Sequence, residues 1–359
     1  MNANKKLIVL FLIVPLVLVL CLSACASSEP VTPSEEEEQK PVEEGETQPE
    51  EPEAELPIDP ETDVSEAYPM ETEEEDEVDE TDISEAYPAE TEEEVEAAET
   101  ETEETLENPL PPDPIAQTIQ TSDGVELSGF FYPAAEIDAP LLVLFHWAPG
   151  DQRDYLVIAP WLQNRDYQVD VPEGAAPFLD SSWFPAVPEE VSFNVFTFTF
   201  RGCEGGCQQF DREGWALDAE AVMDHVAALE NVDLSQLATI GASIGADGAA
   251  YGCHYYNEET GGCQGALSNS PGGYLNVPYP DEVTNLGREN PPKPTWCVYS
   301  KGDTESANAC ENVSCVHYQF TAYDDAAHGM AMFEPSRDPN PMQIIVTFLN
   351  QLGLCETCN

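Results

Sequence analysis

The sequence predicts an α/β domain built on a mostly parallel sheet, and two observations carry that reading. From residue 141 onward, apolar runs of strand length alternate with segments of helical periodicity, the pattern of strands joined by crossover helices. Several runs, 141–145 among them, are continuously apolar, as strands covered on both faces are.

The domain opens with an expected hairpin, 115–121 and 125–132, turning at Ser122-Asp123-Gly124. Strand 141–145 ends in His146-Trp147-Ala148-Pro149-Gly150-Asp151 and is followed by an expected helix over 154–165. An irregular stretch, 168–190, then returns to the strand 194–200. As the return from a helix to the next strand, it is expected at the strands' N-terminal ends, so Phe178, Trp183 and Phe184 read as packing. Arg201-Gly202-Cys203 begins the next loop, and Trp215, Ala219, Val222, Val226 and Leu229 mark a helix over 213–229, with His225 at its rim. Strands are expected at 237–242, 265–270, 295–300 and 316–321, with a closing helix over 342–352 and a Pro- and Gly-rich excursion over 271–294. In such a sheet functional groups collect at the strands' C-terminal ends. His146, Arg201, Ser243, Asp303 and the loop carrying His328 all fall there.

Gly241-Ala242-Ser243-Ile244-Gly245 lies between an apolar run and a small-residue helix containing Ala246, Gly248, Ala249 and Ala250. A sharp strand-to-helix turn holds such a serine in a strained conformation, and glycines two residues to either side leave room for strand and helix to close on each other. A serine hydroxyl becomes a nucleophile only when a base accepts its proton, and that base needs a carboxylate to orient it. Of five histidines, His328 follows the last strand by a short loop and precedes Gly329, whereas His146 ends a strand where an oxyanion loop should begin. Asp303 follows a strand through Gly302 and gives the order Ser, Asp, His, with Asp324 and Asp325 as competitors. The expected oxyanion donors are the backbone N–H groups of Ile244 and of Ala148, with Trp147 as the second choice. Pro149 has no N–H to offer.

Composition divides the chain. The 359 residues carry a net charge of −60, and about half of the 71 acidic residues lie between Glu29 and Asp113. That Glu-, Thr- and Pro-rich stretch cannot bury enough apolar surface to offset ordering entropy, so residues 26–112 are expected to form a disordered, extended tether. It carries a copied unit, 63–69 and 82–88, without a packable face. Residues 1–25 read as a secretory leader: Lys5 and Lys6, an apolar block, then Leu22-Ser23-Ala24-Cys25. The last four resemble a bacterial lipobox, which implies a lipid on Cys25, a membrane partner and an extracytoplasmic domain spanning 113–359. The acidic domain excludes nucleic acid as a natural partner and favours neutral or cationic small-molecule substrates.

Taken together, these pieces resemble the α/β-hydrolase superfamily, and within it the dienelactone-hydrolase-like and short prolyl-oligopeptidase-like branch. The resemblance covers residues 125–352 and rests on the 123–127 opening, the His146 loop, Arg201-Gly202, the Ser243 motif, Gly302-Asp303 and His328-Gly329. It implies a central, mainly parallel sheet of about eight strands with helices on both faces, a Ser243–His328–Asp303 triad, ester or amide hydrolysis through an acyl-enzyme, and no cofactor. Dienelactone hydrolases use cysteine where this chain has Ser243, so lactone specificity does not carry over. The usual His-Gly is His146-Trp147 here, and the 271–294 excursion is too short for a large lid. Absence of a propeller favours esters over peptides. The alternatives are a prolyl-oligopeptidase-like peptidase and a catalytically silent surface-binding module.

Outside the cytoplasm disulfides are the default for the domain's nine cysteines. Close spacing suggests Cys203 with Cys207, Cys253 with Cys263, Cys310 with Cys315 and Cys355 with Cys358, leaving Cys297 alone in a strand. A zinc site at Cys355 and Cys358 would need a second Cys-x-x-Cys, which the chain lacks, so no metal is expected.

Overall fold

The computed structural model describes residues 110–355, 357 and 358. The expected leader, Cys25 and the expected tether up to residue 109 lie outside the described residues. The remaining three tether residues are docked on the domain: Gln163 Nε2 donates to the Pro112 carbonyl at 2.8 Å and Arg165 Nη2 to that of Leu110 at 3.0 Å.

Eight strands form one sheet: Ile115–Gln120 (β1), Glu126–Tyr132 (β2), Ala139–Phe145 (β3), Asn194–Phe198 (β4), Val232–Ala242 (β5), Cys263–Asn269 (β6), Thr295–Ser300 (β7) and Tyr318–Tyr323 (β8). Their order is β1-β2-β4-β3-β5-β6-β7-β8. β1 and β2 pair antiparallel, as do β2 and β4, and the other neighbours are parallel. The helices are Ile158–Gln163 (α1), Arg212–Val226 (α2), Ile244–Glu259 (α3), Tyr279–Arg288 (α4), Thr304–Glu311 (α5) and Pro341–Gln351 (α6). This is the α/β-hydrolase fold.

Side-chain alternation explains why helices cover both faces. In β3, Leu142 and Leu144 join Ile158 and Leu162 of α1 and Ile345 and Phe348 of α6. Leu141, Val143 and Phe145 point the other way, to Trp215 and Val222 of α2, Ala249 and Cys253 of α3 and Leu286 of α4. The chain leaves β3 for β4 on one side and then crosses over to β5 on the other. The order therefore reverses at β3, and the C-terminal ends of β3 and β5 flank the switch point where such sheets place their sites.

Several expectations need correction. The 271–294 excursion contains α4, whose Tyr279, Val283 and Leu286 are buried at helical spacing. Pro280 lies in its first turn, where a missing N–H costs nothing. The expected helix over 154–165 divides into a 3-10 turn, Gln152–Tyr155, and the six-residue α1, which ends at Asn164 with φ 52°. Asn164 turns its side-chain amide to the carbonyls of Pro188 and Val191, locking the return of the insertion.

The 3-10 turn and α1 return the chain to the N-terminal edge, where the Leu162 carbonyl accepts the Phe193 N–H just before β4, and the insertion that follows α1 runs partly back toward the C-terminal edge. There Phe178 meets Trp147 edge to face, ring centroids 6.4 Å apart. Part of the 168–190 stretch thus reaches the edge it was expected to avoid.

The disulfides join Cys203 to Cys207, Cys253 to Cys263 and Cys355 to Cys358. Cys310, however, pairs with Cys297 and not with Cys315. The physical reason is α5: it folds back on β7 and brings the Cα of Cys310 to 6.1 Å from that of Cys297, both residues being buried. Cys315 lies past the end of α5, packed against the cluster containing Tyr279 and Val283.

Arg201 joins three elements. Its Nε donates to Asp218 Oδ1 on α2 at 2.7 Å, its backbone N–H to Asp218 Oδ2 at 2.8 Å, and its Nη1 to Asp123 Oδ2 in the hairpin turn at 2.6 Å. Burial pushes the Asp218 carboxyl up to about 6, with the Arg201 bonds opposing. Removing the guanidinium leaves this buried group without its partner. Arg201→Ala should cost about 3 kcal/mol and lower Tm by roughly 10 °C in thermal unfolding, with a much smaller drop for Asp123→Ala at the exposed end of the pair.

Candidate active site

Ser243 sits between β5 and α3 with φ 54° and ψ −119°. A Cβ on Gly241 would stand 1.8 Å from the Gly245 carbonyl oxygen, and one on Gly245 would stand 2.1 Å from the Phe145 carbonyl oxygen. Only glycine at both positions lets the turn close and α3 rest on the end of β3. Neighbouring β6 holds the turn from the other side, the Ser243 N–H donating to the Asn269 carbonyl at 2.8 Å.

His328 Nε2 lies 2.8 Å from Ser243 Oγ, and its Nδ1 lies 2.6 Å from Asp303 Oδ2. The carboxylate claims the hydrogen on Nδ1, which leaves Nε2 free to accept the serine proton. Asp303 is the N-cap of α5 and takes the Ser306 N–H on its other oxygen. The Gly302 N–H donates to the Asp325 carbonyl at 2.7 Å, tying the Asp303 turn to the loop that leads to His328. Beyond His328, Ser270 Oγ accepts the Gly329 N–H at 2.9 Å. The end of β6 therefore fixes both the serine and the histidine loop, a role that local sequence did not reveal. Ser243 is 4 % exposed, while the His328 side chain is 32 % exposed, so the site is floored by the sheet and open above.

The competing residues are engaged elsewhere. Asp324 pairs with Lys301 and Asp325 with Arg337. His254 lies within α3 and pairs with Glu282 at 2.7 Å. His225 faces Gln117, and His317 lies at the opposite, N-terminal edge of the sheet, where its carbonyl accepts the N–H of Thr295, the first residue of β7.

His146 is fully buried and shapes the expected oxyanion loop. Its Nε2 accepts the Phe200 N–H at 2.9 Å, so the hydrogen is on Nδ1, which donates to the Trp147 carbonyl at 2.7 Å. In a trans peptide the C=O and the following N–H point in opposite directions. Fixing the Trp147 carbonyl on the buried ring therefore turns the Ala148 N–H away from it. Neither that N–H nor the one on Ile244 donates to a protein acceptor among the described residues. The Ala148 carbonyl, in turn, accepts the Cys207 N–H at 2.7 Å, so the disulfide-closed 203–207 loop braces the same segment.

Two aromatic walls went unrecognised in the sequence. Trp147 lies against Gly329, where a Cβ would come within 2.8 Å of its ring, and its indole N–H donates to Asp154 Oδ2 at 2.8 Å. Burial pushes Asp154 up to about 6. On the other side Tyr274 meets the His328 ring edge to face at 5.9 Å. Its loop is held by Asp247, four residues after Ser243, which accepts the N–H groups of Gly272 and Tyr274 and which burial pushes up to about 7. A separate cleft of about 870 Å³ opens between α1 and the 166–187 stretch and contains none of Ser243, Asp303 and His328.

No family model matches this chain, and neither does any curated protein. Among solved structures it is similar to an esterase of Pyrococcus furiosus at 16 % identity, covering 67 % of this chain and 91 % of that one with a TM-score of 0.44. Similarity to the carboxylesterase EstE1 from a metagenomic library is 15 % identity over 69 % and 90 % of the two chains, TM-score 0.46. For a dienelactone hydrolase of Anabaena variabilis the figures are 12 %, 67 % and 96 %, TM-score 0.44.

Burial lowers His146 from its ordinary 6.5 to about 4. The unfolded chain thus takes up this proton well before the folded one does, and the stability it lends above pH 6.5 is lost as pH falls toward 4. The Tm gap between the wild type and His146→Gln, measured by thermal unfolding, should be largest near pH 7 and shrink as the pH approaches 4.

Proposed function

We propose that the protein is a serine hydrolase that cleaves carboxylic esters, and secondarily amides, of small neutral or cationic substrates. The observation that carries this reading is the unbroken hydrogen-bond chain from Asp303 through His328 to Ser243. Ser243 Oγ attacks the carbonyl carbon while its proton moves to His328 Nε2, and Asp303 stabilises the resulting imidazolium. The N–H groups of Ile244 and Ala148 receive the negative charge developing on the carbonyl oxygen, at the positive end of α3. When the tetrahedral intermediate collapses, the bond to the leaving oxygen breaks and that oxygen takes the proton from Nε2. Water then repeats the sequence in reverse, with His328 removing its proton, to release the acid and free Ser243.

The substrate charge follows from the chain's net charge of −60, which repels anions. The leader-like segment supports an extracytoplasmic domain held at the membrane by a lipid on Cys25, and the disulfides fit an oxidising compartment. Among the described residues no helix is long and apolar enough to cross a membrane.

Hydrolysis of p-nitrophenyl esters of increasing acyl length, run beside aminoacyl arylamides, tests the reading. Ser243→Ala and His328→Ala should each lower kcat by about a millionfold, and Asp303→Asn by about ten-thousandfold. A folded wild-type protein that turns over neither series would favour the surface-binding module.

A further inference from the structure

The triad accounts for bond cleavage but not for what holds the departing half of the substrate. Because His328 hands its proton to the leaving oxygen, the leaving group must lie on the histidine side of the site. That side is lined by rings. Tyr274 stands edge to face with His328 at 5.9 Å, interplanar angle 87°, and Phe210 meets Tyr274 at 6.2 Å, interplanar angle 78°.

Both rings are held from behind. Asp247, buried in α3, fixes the Tyr274 backbone, and the Tyr274 hydroxyl reaches Glu305 Oε2 at 3.3 Å. Phe210 packs on the fully buried Trp215 at 4.9 Å and carries the Arg212 guanidinium 5.3 Å from its centroid. Even so, Phe210 remains 57 % exposed. A phenylalanine left open to water, yet linked by ring contacts through Tyr274 to the proposed base, is a ready-made surface for a planar apolar group.

We infer that Tyr274 and Phe210 form the leaving-group subsite of the enzyme and that it takes substrates whose departing alcohol carries an aromatic ring. This rests on the serine-hydrolase reading above and adds the substrate class to it. In the acyl-transfer step the Ser243 Oγ to carbonyl-carbon bond forms and the bond to the arylmethyl oxygen breaks. The proton moves from Oγ to Nε2 and on to the departing arylmethanol.

The test compares benzyl acetate with ethyl acetate, which share an acyl group and release alcohols of similar acidity. In the full chain the ratio of kcat/KM, benzyl over ethyl, should be about threefold to tenfold, the range that a ring–ring contact supplies. Phe210→Ala and Tyr274→Ala should each pull that ratio toward one, mainly through KM for the benzyl ester, while Tyr274→Phe keeps it. Phe210 is exposed, so its variant keeps the test valid if Tyr274→Ala unfolds. Reaction of wild-type Ser243 with an alkyl fluorophosphonate separates the two layers of the reading. If Ser243 reacts but the wild-type ratio is near one, neither ester is turned over, or the ratio survives both alanine variants, the subsite is overturned and the hydrolase stands. If the folded protein's Ser243 does not react at all, the hydrolase reading itself falls.

Discussion

The structure depends on one strained residue. Ser243 is held at φ 54° between β5 and α3, a backbone conformation that costs of order 1–3 kcal/mol and persists only because its surroundings over-determine it. Gly241 and Gly245 allow the turn to close, β6 accepts the Ser243 N–H, and the first turn of α3 rests on the carbonyls that end β3. The same close approach brings the His146 loop beside the serine. One backbone constraint thus sets the candidate nucleophile and places the candidate oxyanion donors in the same corner of the fold.

Around that residue the molecule uses buried polar groups as positioning devices. His146 is kept neutral by burial and turns the peptide between Trp147 and Ala148. Asp247 spends its carboxylate on the Gly272–Tyr274 backbone, and Ser270 holds Gly329. Each fixes a loop, and the loops carry the chemistry. The division is the usual one for an α/β sheet, whose rigid strands end in loops that vary. It also explains the departure at Trp147. A bulky ring at that position is accommodated because Gly329, at φ 56°, has no Cβ to meet it.

How far the sequence reaches follows from which interactions are local. The Gly-x-Ser-x-Gly turn, the hairpin and the order Ser243, Asp303, His328 were legible because each is written in spacing over a few residues or in element order. α4 was hidden because Pro271, Pro278 and Pro280 resemble a loop, although the period of Tyr279, Val283 and Leu286 was there to find. The pairing of Cys310 was not legible because proximity in the chain is not proximity in space; α5 packs Cys310 on β7, beside Cys297. The reach of Phe178 to Trp147, and the contact of Tyr274 with His328, join segments 31 or more residues apart. No local pattern encodes such contacts, and they form the walls of the candidate site.

The central claim is that His328 activates Ser243 and no other nucleophile in the chain. Mass mapping of the folded protein after reaction with an alkyl fluorophosphonate tests it most directly. The predicted result is one adduct per chain, on Ser243, lost in Ser243→Ala and formed far more slowly in His328→Ala. An unmodified folded protein, or an adduct on a different residue, would contradict it.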